Sequence, residues 1–216
     1  MKTANIKKWY DEWKIELSEY KYLILLSLMF LVLAEIISFY TSTYVDKIPG
    51  VAVRDLILDN IPTLNLDFIF VYSFIALLLL IALYALFFKI KEFHKIAILF
   101  SLLVLTRSIF ITLTHLGIPA DARVITNCPG SYVLFNFRND LFFSGHVAMP
   151  FMAFLIFRSE MIGKVFLLLT IILSLTVLFM HVHYSIDVFS AFFITYGVYH
   201  FGQWIINKEF FNKVQA

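Results

Sequence analysis

Long apolar runs separated by polar connections dominate this sequence. Six runs are long enough, or nearly long enough, to cross a bilayer as a helix, which takes about 20 residues. They cover residues 22–40, 68–88, 96–116, 143–157, 163–180 and 184–206. This pattern predicts an all-α integral membrane protein with six transmembrane helices, in which residues 22–206 form one membrane domain.

The two ends of the chain are more polar than this domain. Residues 1–21 combine lysines with apolar positions at helical spacing, including Trp9, Tyr10 and Trp13. Aromatic anchors opposite a basic face are typical of an amphipathic helix that lies in the membrane interface. The alternative is a soluble extension that leads into the first span. Residues 207–216 are expected to form a cytoplasmic tail.

Composition supports the membrane assignment. Of the 216 residues, 61% are hydrophobic and only 15% are charged, which is far from the balance of a soluble domain. The net charge of +2 comes without a long basic patch, so no nucleic-acid partner is expected. The single cysteine, Cys128, excludes an intrachain disulfide.

The placement of lysine and arginine indicates the orientation in the membrane. Most of them lie in the N-terminal segment, in the connections 89–95 and 158–164, and in the tail. The two long connections, 41–67 and 117–142, carry few. Since basic residues concentrate on the cytoplasmic side, we expect both termini in the cytoplasm and both long connections on the exoplasmic face.

Two polar segments stand at the mouths of the later spans, at residues 139–146 and 183–187. With an even number of spans, both segments open on the same exoplasmic face. Ionisable groups in membrane spans are costly and usually functional. The two segments are therefore expected to form one active site.

His183 and Asp187 are four residues apart, which places them on one face of a helix that starts here. A carboxylate beside an imidazole fixes its tautomer and stabilises the imidazolium. The other ring nitrogen then becomes a better base or nucleophile.

His146 follows Ser144 and Gly145 at the start of another span. Glycine lets a ligand approach the backbone closely, and the N–H groups at a helix N-terminus attract an anion such as phosphate. An anion site with two histidines suits phosphoryl transfer through a phosphohistidine, in which one imidazole attacks phosphorus and the other shuttles the proton.

Two other interpretations of these residues stay open. The histidines could simply bond neighbouring helices, and the pair at i, i+4 could only stabilise its own helix. A metal site could gather His146, His181, His183 and Asp187. Because His181 and His183 would diverge on a helix, no metal and no cofactor are expected.

The segments Asp140–His146 and His183–Val188 resemble the two signature motifs of sphingomyelin synthases and their relatives in the type-2 phosphatidic acid phosphatase superfamily. The family patterns are close to C-G-D-Y-L-F-S-G-H-T and H-Y-T-I-D-V-x-x-A-Y-x-I-T. The second pattern continues here in Ala191, Phe192, Ile194 and Thr195.

The resemblance extends over about residues 50–205, with weaker similarity at 59–62 and 107–119. The sequence departs from the first pattern at both of its ends. Arg138 and Asn139 stand where the family has Cys-Gly, and Val147 stands where it has threonine.

By this resemblance, His183 is the nucleophile, Asp187 its orienting carboxylate and His146 the proton shuttle. The supporting or substrate-binding residues would be Asp140, Ser144, Gly145, Arg107 and Tyr184. The implied reaction moves phosphocholine or phosphoethanolamine from phosphatidylcholine or phosphatidylethanolamine to ceramide or a similar lipid alcohol, and releases diacylglycerol.

Lipid phosphate phosphatases of the same superfamily carry Lys-x6-Arg-Pro and a Ser-Arg pair. This chain has no Arg-Pro dipeptide, and Thr176 and Val177 occupy the places of the pair. A phosphate monoester is close to a dianion and is usually clamped by several cations, whereas a phosphodiester carries one charge. The sequence therefore favours a phosphodiester donor.

Hydrolysis of a lipid phosphoester, of the phospholipase C or phosphohydrolase type, is the enzymatic alternative, and a transporter or assembly subunit is the non-enzymatic one.

Arg107 lies inside the third span and Glu35 inside the first. An arginine at this depth costs about 3 kcal/mol unless it is paired. It could form an ion pair with Glu35, or it could reach the donor phosphate or an acidic residue of the site. Asp59 and Asp67 are expected to be solvated or structural.

Overall fold

The computed structural model describes residues 2–125 and 139–207, and these form six α-helices. The helices are α1 Lys2–Asp46, α2 Asp67–Phe88, α3 Phe93–Leu113, α4 Gly145–Phe157, α5 Met161–Phe179 and α6 Ser185–Asn207. Short 3-10 helices at Leu58–Asn60 and Ile90–Glu92 precede α2 and α3. The described part of the chain contains no strand beyond one isolated bridge, so the predicted all-α class is confirmed.

Four helices have the length and apolar composition to cross a membrane, as expected of an integral membrane protein. They are Ile6–Asp46, Asp67–Phe88, Ile90–Leu113 and Met161–Phe179. α4 is apolar but has 13 residues, which span about 20 Å against a hydrocarbon core of about 30 Å. α6 is long enough but does not meet the same criterion. The predicted count of six spans is therefore not confirmed.

The N-terminal segment continues into the first span. α1 runs for 45 residues without interruption, because residues 2–46 contain no glycine or proline that would end a helix. Trp13 Nε1 donates a hydrogen bond of 2.8 Å to the carbonyl of Leu86, and Lys91 lies 3.1 Å from Glu16. These contacts hold the early turns against the connection between α2 and α3. A separate N-terminal amphipathic helix is not confirmed.

The helices alternate in direction, so that α1, α3 and α5 end where α2, α4 and α6 begin. Asn139 N donates to Asp46 Oδ1 at 3.0 Å, and Leu64 N donates to the carbonyl of Phe179 at 2.7 Å. We call this end of the bundle the site end. At the opposite end, Lys89 Nζ lies 2.8 Å from Glu160.

The core lies where α2, α3, α4, α5 and α6 pack together. Its fully buried residues include Met152, Ala153, Leu173 and Ala191. Small residues allow close helix contacts in membrane proteins. A Cβ atom added to Gly202 of α6 would lie only 2.5 Å from a methyl group of Leu99 on α3, so a larger residue there would require the Leu99 side chain to move.

Two connections cross each other at the site end. A Cβ atom on Gly50 would lie 2.4 Å from Gly117 N, and one on Gly117 would lie 2.7 Å from Gly50, so only glycine permits this crossing. The hydroxyl of Tyr184 accepts a hydrogen bond from Val53 N at 3.1 Å and donates one to the Gly117 carbonyl at 2.8 Å. Tyr184 thereby attaches both connections to the start of α6.

Candidate active site

His183 immediately precedes α6 and is held through one ring nitrogen. Its Nδ1 lies 3.0 Å from the carbonyl of Leu141 and 3.3 Å from Asp187 Oδ2. Both neighbours are acceptors, so Nδ1 carries a proton. Since His183 also lines the large cavity of the protein, Nε2 is the ring nitrogen available for chemistry.

Asp187 is fully buried in the first turn of α6. Its Oδ2 accepts a hydrogen bond of 2.9 Å from Tyr184 N in addition to the contact with His183. Its carbonyl accepts one of 3.2 Å from Ser144 N. Asp187 therefore orients the imidazole of His183 and joins the starts of α4 and α6.

His146 lies in the first turn of α4 and is stacked on two rings of α2. Its ring centroid is 3.9 Å from that of Phe70 and 4.1 Å from that of Phe74. This packing fixes the plane of the imidazole, and His146 lines the same cavity as His183. The two predicted histidines thus lie in one site at the end of the bundle where their segments begin.

Ser144 and Gly145 have different positions in this site. Gly145 lines the cavity, and a Cβ atom there would lie 3.5 Å from Arg107 Nε. Ser144 is fully buried behind the cavity wall. Its Oγ has no hydrogen-bond partner within residues 2–125 and 139–207. Its carbonyl accepts from Val147 N and Ala148 N as α4 begins.

Arg107 is paired with Asp140, which decides between the interpretations of its sequence position. Arg107 Nη1 donates to Asp140 Oδ2 at 2.9 Å and Nη2 donates to the Asp140 carbonyl at 3.0 Å. Ser42 Oγ donates to the same carboxylate at 2.8 Å. Within the described residues, Arg107 forms no salt bridge with Glu35 and interacts with it only electrostatically, so of the two alternatives the structure favours a contact with an acidic residue of the site.

Arg107 also stabilises a strained turn. Phe143 has a φ of 26°, in the left-handed region that a residue with a side chain rarely adopts. Arg107 Nε donates to the Phe143 carbonyl at 3.1 Å. With three of its nitrogens committed, Arg107 holds residues 140–143 in the conformation that presents His146 and supports His183.

A cavity of about 720 Å³ contains the chemistry-bearing side chains. Of the eight predicted site residues, His146, His183, Arg107, Asp140 and Gly145 line it, whereas Asp187, Tyr184 and Ser144 stand behind its wall. The remaining walls are largely apolar and come from α1, α2 and the loop at 118–125. Glu35, Ser38 and Arg123 add polar groups to them.

Tyr184 acts as a structural residue in this arrangement. Its side chain is almost fully buried, and both of its hydroxyl contacts are to backbone groups. Burial raises the pKa of Tyr184, and the carboxylates of Asp187 and Asp55 raise it further. The phenol is therefore neutral near pH 7 and holds the loops instead of exchanging protons.

Asp55 positions the start of α6, a role that was not predicted from the sequence because Asp55 lies in a polar loop. Its Oδ2 accepts hydrogen bonds from Ser185 N at 2.7 Å and from Ser185 Oγ at 2.8 Å. Its Oδ1 accepts from Ile57 N and Leu58 N. Burial raises the pKa of Asp55, but these hydrogen bonds outweigh burial and hold the pKa below its usual value. Asp55 thus caps α6 directly beside His183.

Asp59 and His181 lie outside the cavity. Asp59 is bonded to Arg54 at 3.2 Å on the surface, as expected for a solvated or structural residue. His181 turns away from the cavity, with Nδ1 3.3 Å from Thr63 Oγ1. In the described part of the chain, no three His, Cys, Asp or Glu residues are grouped to hold a metal ion.

Comparison with protein families gives a match over residues 139–204, to the family described as PAP2 superfamily C-terminal. The matched region includes both histidine segments and the helices between them, or about a third of the chain. Comparison with curated proteins gave no match. The family match supports the type-2 phosphatidic acid phosphatase superfamily, whose members are typically lipid phosphatases or phosphotransferases.

Proposed function

We propose that this protein is a membrane phosphotransferase of the sphingomyelin synthase type. It moves a phosphocholine or phosphoethanolamine head group from a glycerophospholipid to ceramide or a similar lipid alcohol. The observation that carries this proposal is the state of His183. Its Nδ1 is fixed by Leu141 and Asp187, which leaves Nε2 in an apolar-walled cavity beside His146.

The reaction proceeds in two displacements at phosphorus. In the first, His183 Nε2 forms a bond to the donor phosphorus and the bond to the diacylglycerol oxygen breaks, while protonated His146 gives that oxygen its proton. In the second, the acceptor hydroxyl attacks phosphorus, His146 takes its proton and the P–N bond breaks. His146 ends in the state in which it began.

Asp187 stabilises His183 during these steps. When Nε2 binds phosphorus, the ring gains positive charge while Nδ1 keeps its proton. The buried carboxylate at 3.3 Å favours that charged form. Because Tyr184 N also bonds Asp187, the carboxylate keeps its position as the charge on His183 changes.

The cations of the cavity suit a phosphodiester. Arg107 is committed to Asp140 and Phe143. The side chain of Arg123, which also lines the cavity, has no ion pair within residues 2–125 and 139–207. One uncommitted guanidinium matches the single negative charge of a phosphodiester better than the near-dianion of a monoester.

The apolar walls suit lipid substrates that enter from the side. Phe39 of α1 and Leu78 of α2 line the cavity, and both are about 40% exposed. Both lie within helices that are able to cross a membrane. Donor and acceptor would therefore reach His183 from the bilayer between α1 and α2, with the site end on the exoplasmic face.

Reconstitution into liposomes tests the proposal. Purified protein is supplied with labelled phosphatidylcholine or phosphatidylethanolamine, with and without ceramide, and the lipid products are followed. Head-group transfer that depends on ceramide is expected, and it should disappear in His183→Ala but persist in His200→Ala, a control within α6, the helix that His183 precedes. Diacylglycerol formed equally well without ceramide would indicate a phospholipase C-type hydrolase.

The family match alone fits hydrolysis of a lipid phosphate monoester equally well. Phosphate release from phosphatidic acid, with no turnover of either phosphodiester, would establish that activity instead. If wild-type protein converts none of these lipids, the non-enzymatic alternative, a transporter or assembly subunit, is left standing.

A further inference from the structure

Glu35 is an acidic residue of the cavity that the proposed mechanism does not use. It lies within the membrane-spanning part of α1 and lines the cavity. Within residues 2–125 and 139–207 its carboxyl group forms no hydrogen bond or salt bridge, because Arg107 is bonded to Asp140 and interacts with Glu35 only electrostatically. An ionisable side chain at membrane depth usually marks a functional contact. The partner of Glu35 is therefore sought in the substrate.

Glu35 lies farther from the site end than the histidines do. Ser42 of α1 is bonded to Asp140 at the level of the active site, and Glu35 precedes it by about 10 Å along the helix. His146 contacts Phe70 of α2. Leu78 of the same helix lies about 12 Å deeper in the bundle than Phe70. Glu35 and Leu78 thus line the deep part of the cavity.

The deep part of the cavity would receive the hydrocarbon side of a lipid. When the reacting oxygen or phosphorus is at His183, the lipid chains run from the site end into the bundle and out between α1 and α2. The groups that link the chains to the reacting oxygen then pass Glu35 and Ser38, which is nearly one turn away on the same face of α1.

A carboxyl group accepts hydrogen bonds in either protonation state. Ceramide offers an amide N–H and a second hydroxyl close to its reacting hydroxyl, whereas diacylglycerol offers only ester oxygens there. With diacylglycerol bound, Glu35 would be left without donors in an apolar cavity, which is unfavourable.

We infer that Glu35, assisted by Ser38, recognises the acceptor lipid through the amide N–H and hydroxyl donors of a ceramide. This inference rests on the proposed head-group transfer. It also implies that the diacylglycerol released in the first displacement competes poorly with ceramide as the acceptor of the second.

Acceptor kinetics in liposomes test this role. Glu35→Ala should raise the KM for ceramide about tenfold and leave acceptor-independent cleavage of the donor within about twofold. Wild type should prefer ceramide about tenfold over an analogue with a methylated amide and no second hydroxyl, and Glu35→Ala should lose that preference. Glu35→Gln keeps a carbonyl acceptor and should retain most of the preference for ceramide. Ile36→Ala, an exposed neighbour on α1, serves as the matched control.

Binding without turnover separates this inference from the proposed function. A short-chain fluorescent ceramide is titrated into His183→Ala and into His183→Ala with Glu35→Ala, after both have been shown to be monodisperse with similar melting temperatures. Weaker binding to the double variant supports the inference even if wild type transfers no head group. Equal binding, or a rise in the KM of the donor instead of ceramide, would overturn it.

Discussion

Ser144 N donates a hydrogen bond of 3.2 Å to the carbonyl of Asp187 and so joins the two histidine segments through their backbones. The bond connects the residue before α4 to the first turn of α6. His146 follows Ser144 by two residues, and His183 precedes Asp187 by four. This backbone bond therefore sets the spacing of the two segments that carry the imidazoles.

Replacing Asp187 with asparagine tests the electrostatic part of this arrangement. The amide can occupy the same space, but it does not stabilise a positive charge on His183. We expect kcat for head-group transfer to fall on the order of a thousandfold, with a smaller effect on donor KM. Initial rates at saturating donor measure the change.

Asp59→Asn is the matched control for Asp187→Asn, since Asp59 is a surface carboxylate near the same end of the bundle. Its rate should stay within about twofold of wild type. If Asp187→Asn also kept its rate while retaining its fold, the role assigned to the carboxylate would be rejected.

Local features of the site were predictable from the sequence. The separation of four residues between His183 and Asp187 predicted that the two side chains lie close together, and the contact forms with His183 just before α6 and Asp187 in its first turn. The Ser-Gly-His segment likewise predicted a helix start, and α4 begins at Gly145. These relationships depend on chain geometry over a few residues.

Contacts between distant residues were not predictable in the same way. Several segments contain an acidic residue that could have paired with Arg107. Arg107 pairs with Asp140 instead of Glu35 because of the fold of residues 140–143. Asp55 and Ser185 are 130 positions apart, and no local pattern connects them. The number of spans was uncertain for a similar reason, because the short α4 is apolar but packed among other helices.

The contact between Arg107 and Asp140 should contribute measurably to stability. Both side chains are largely buried, with 15% and 10% of their surfaces exposed. Removing one partner leaves the other charge buried, which typically costs about 3 kcal/mol. We expect Asp140→Asn and Arg107→Met each to lower the free energy of unfolding by about this amount, measured by denaturant titration in mixed micelles.

A double-mutant cycle separates this pair from its surroundings. Once one charge is gone, removing the other should cost much less, so the double variant should be more stable than the sum of the single effects implies. Additive effects would show that the two side chains act independently and that Arg107 stabilises the site mainly through Phe143.

Asp55 should make stability depend on acidity. Because its pKa in the folded protein lies below the unfolded value of about 3.9, its ionised form stabilises the fold. The contribution is complete above that value and is lost as the pH falls through the lower, folded pKa. Melting temperatures of wild type should therefore drop on acidification below about pH 4.

Asp55→Asn should melt at a lower temperature at pH 7 and show a weaker dependence on acidity. Asp59→Asn, whose carboxylate is on the surface, should retain the wild-type profile. Identical pH profiles for wild type and Asp55→Asn would contradict the assignment of Asp55 as the cap of α6.

Arg123 should set the affinity for the donor, because it is the guanidinium of the cavity that has no ion pair among the described residues. Arg123→Ala is expected to raise the donor KM about tenfold with little change in kcat, as the lost contact is to a charged phosphate in both the ground state and the transition state. Arg123→Lys keeps a point charge but loses the planar fork, so an intermediate KM is expected.

Arg54→Ala removes a loop arginine that is bonded to Asp59 outside the cavity and should leave KM unchanged. Equal KM values for Arg123→Ala and Arg54→Ala would mean that the phosphate is held by backbone N–H groups at the start of α4 instead.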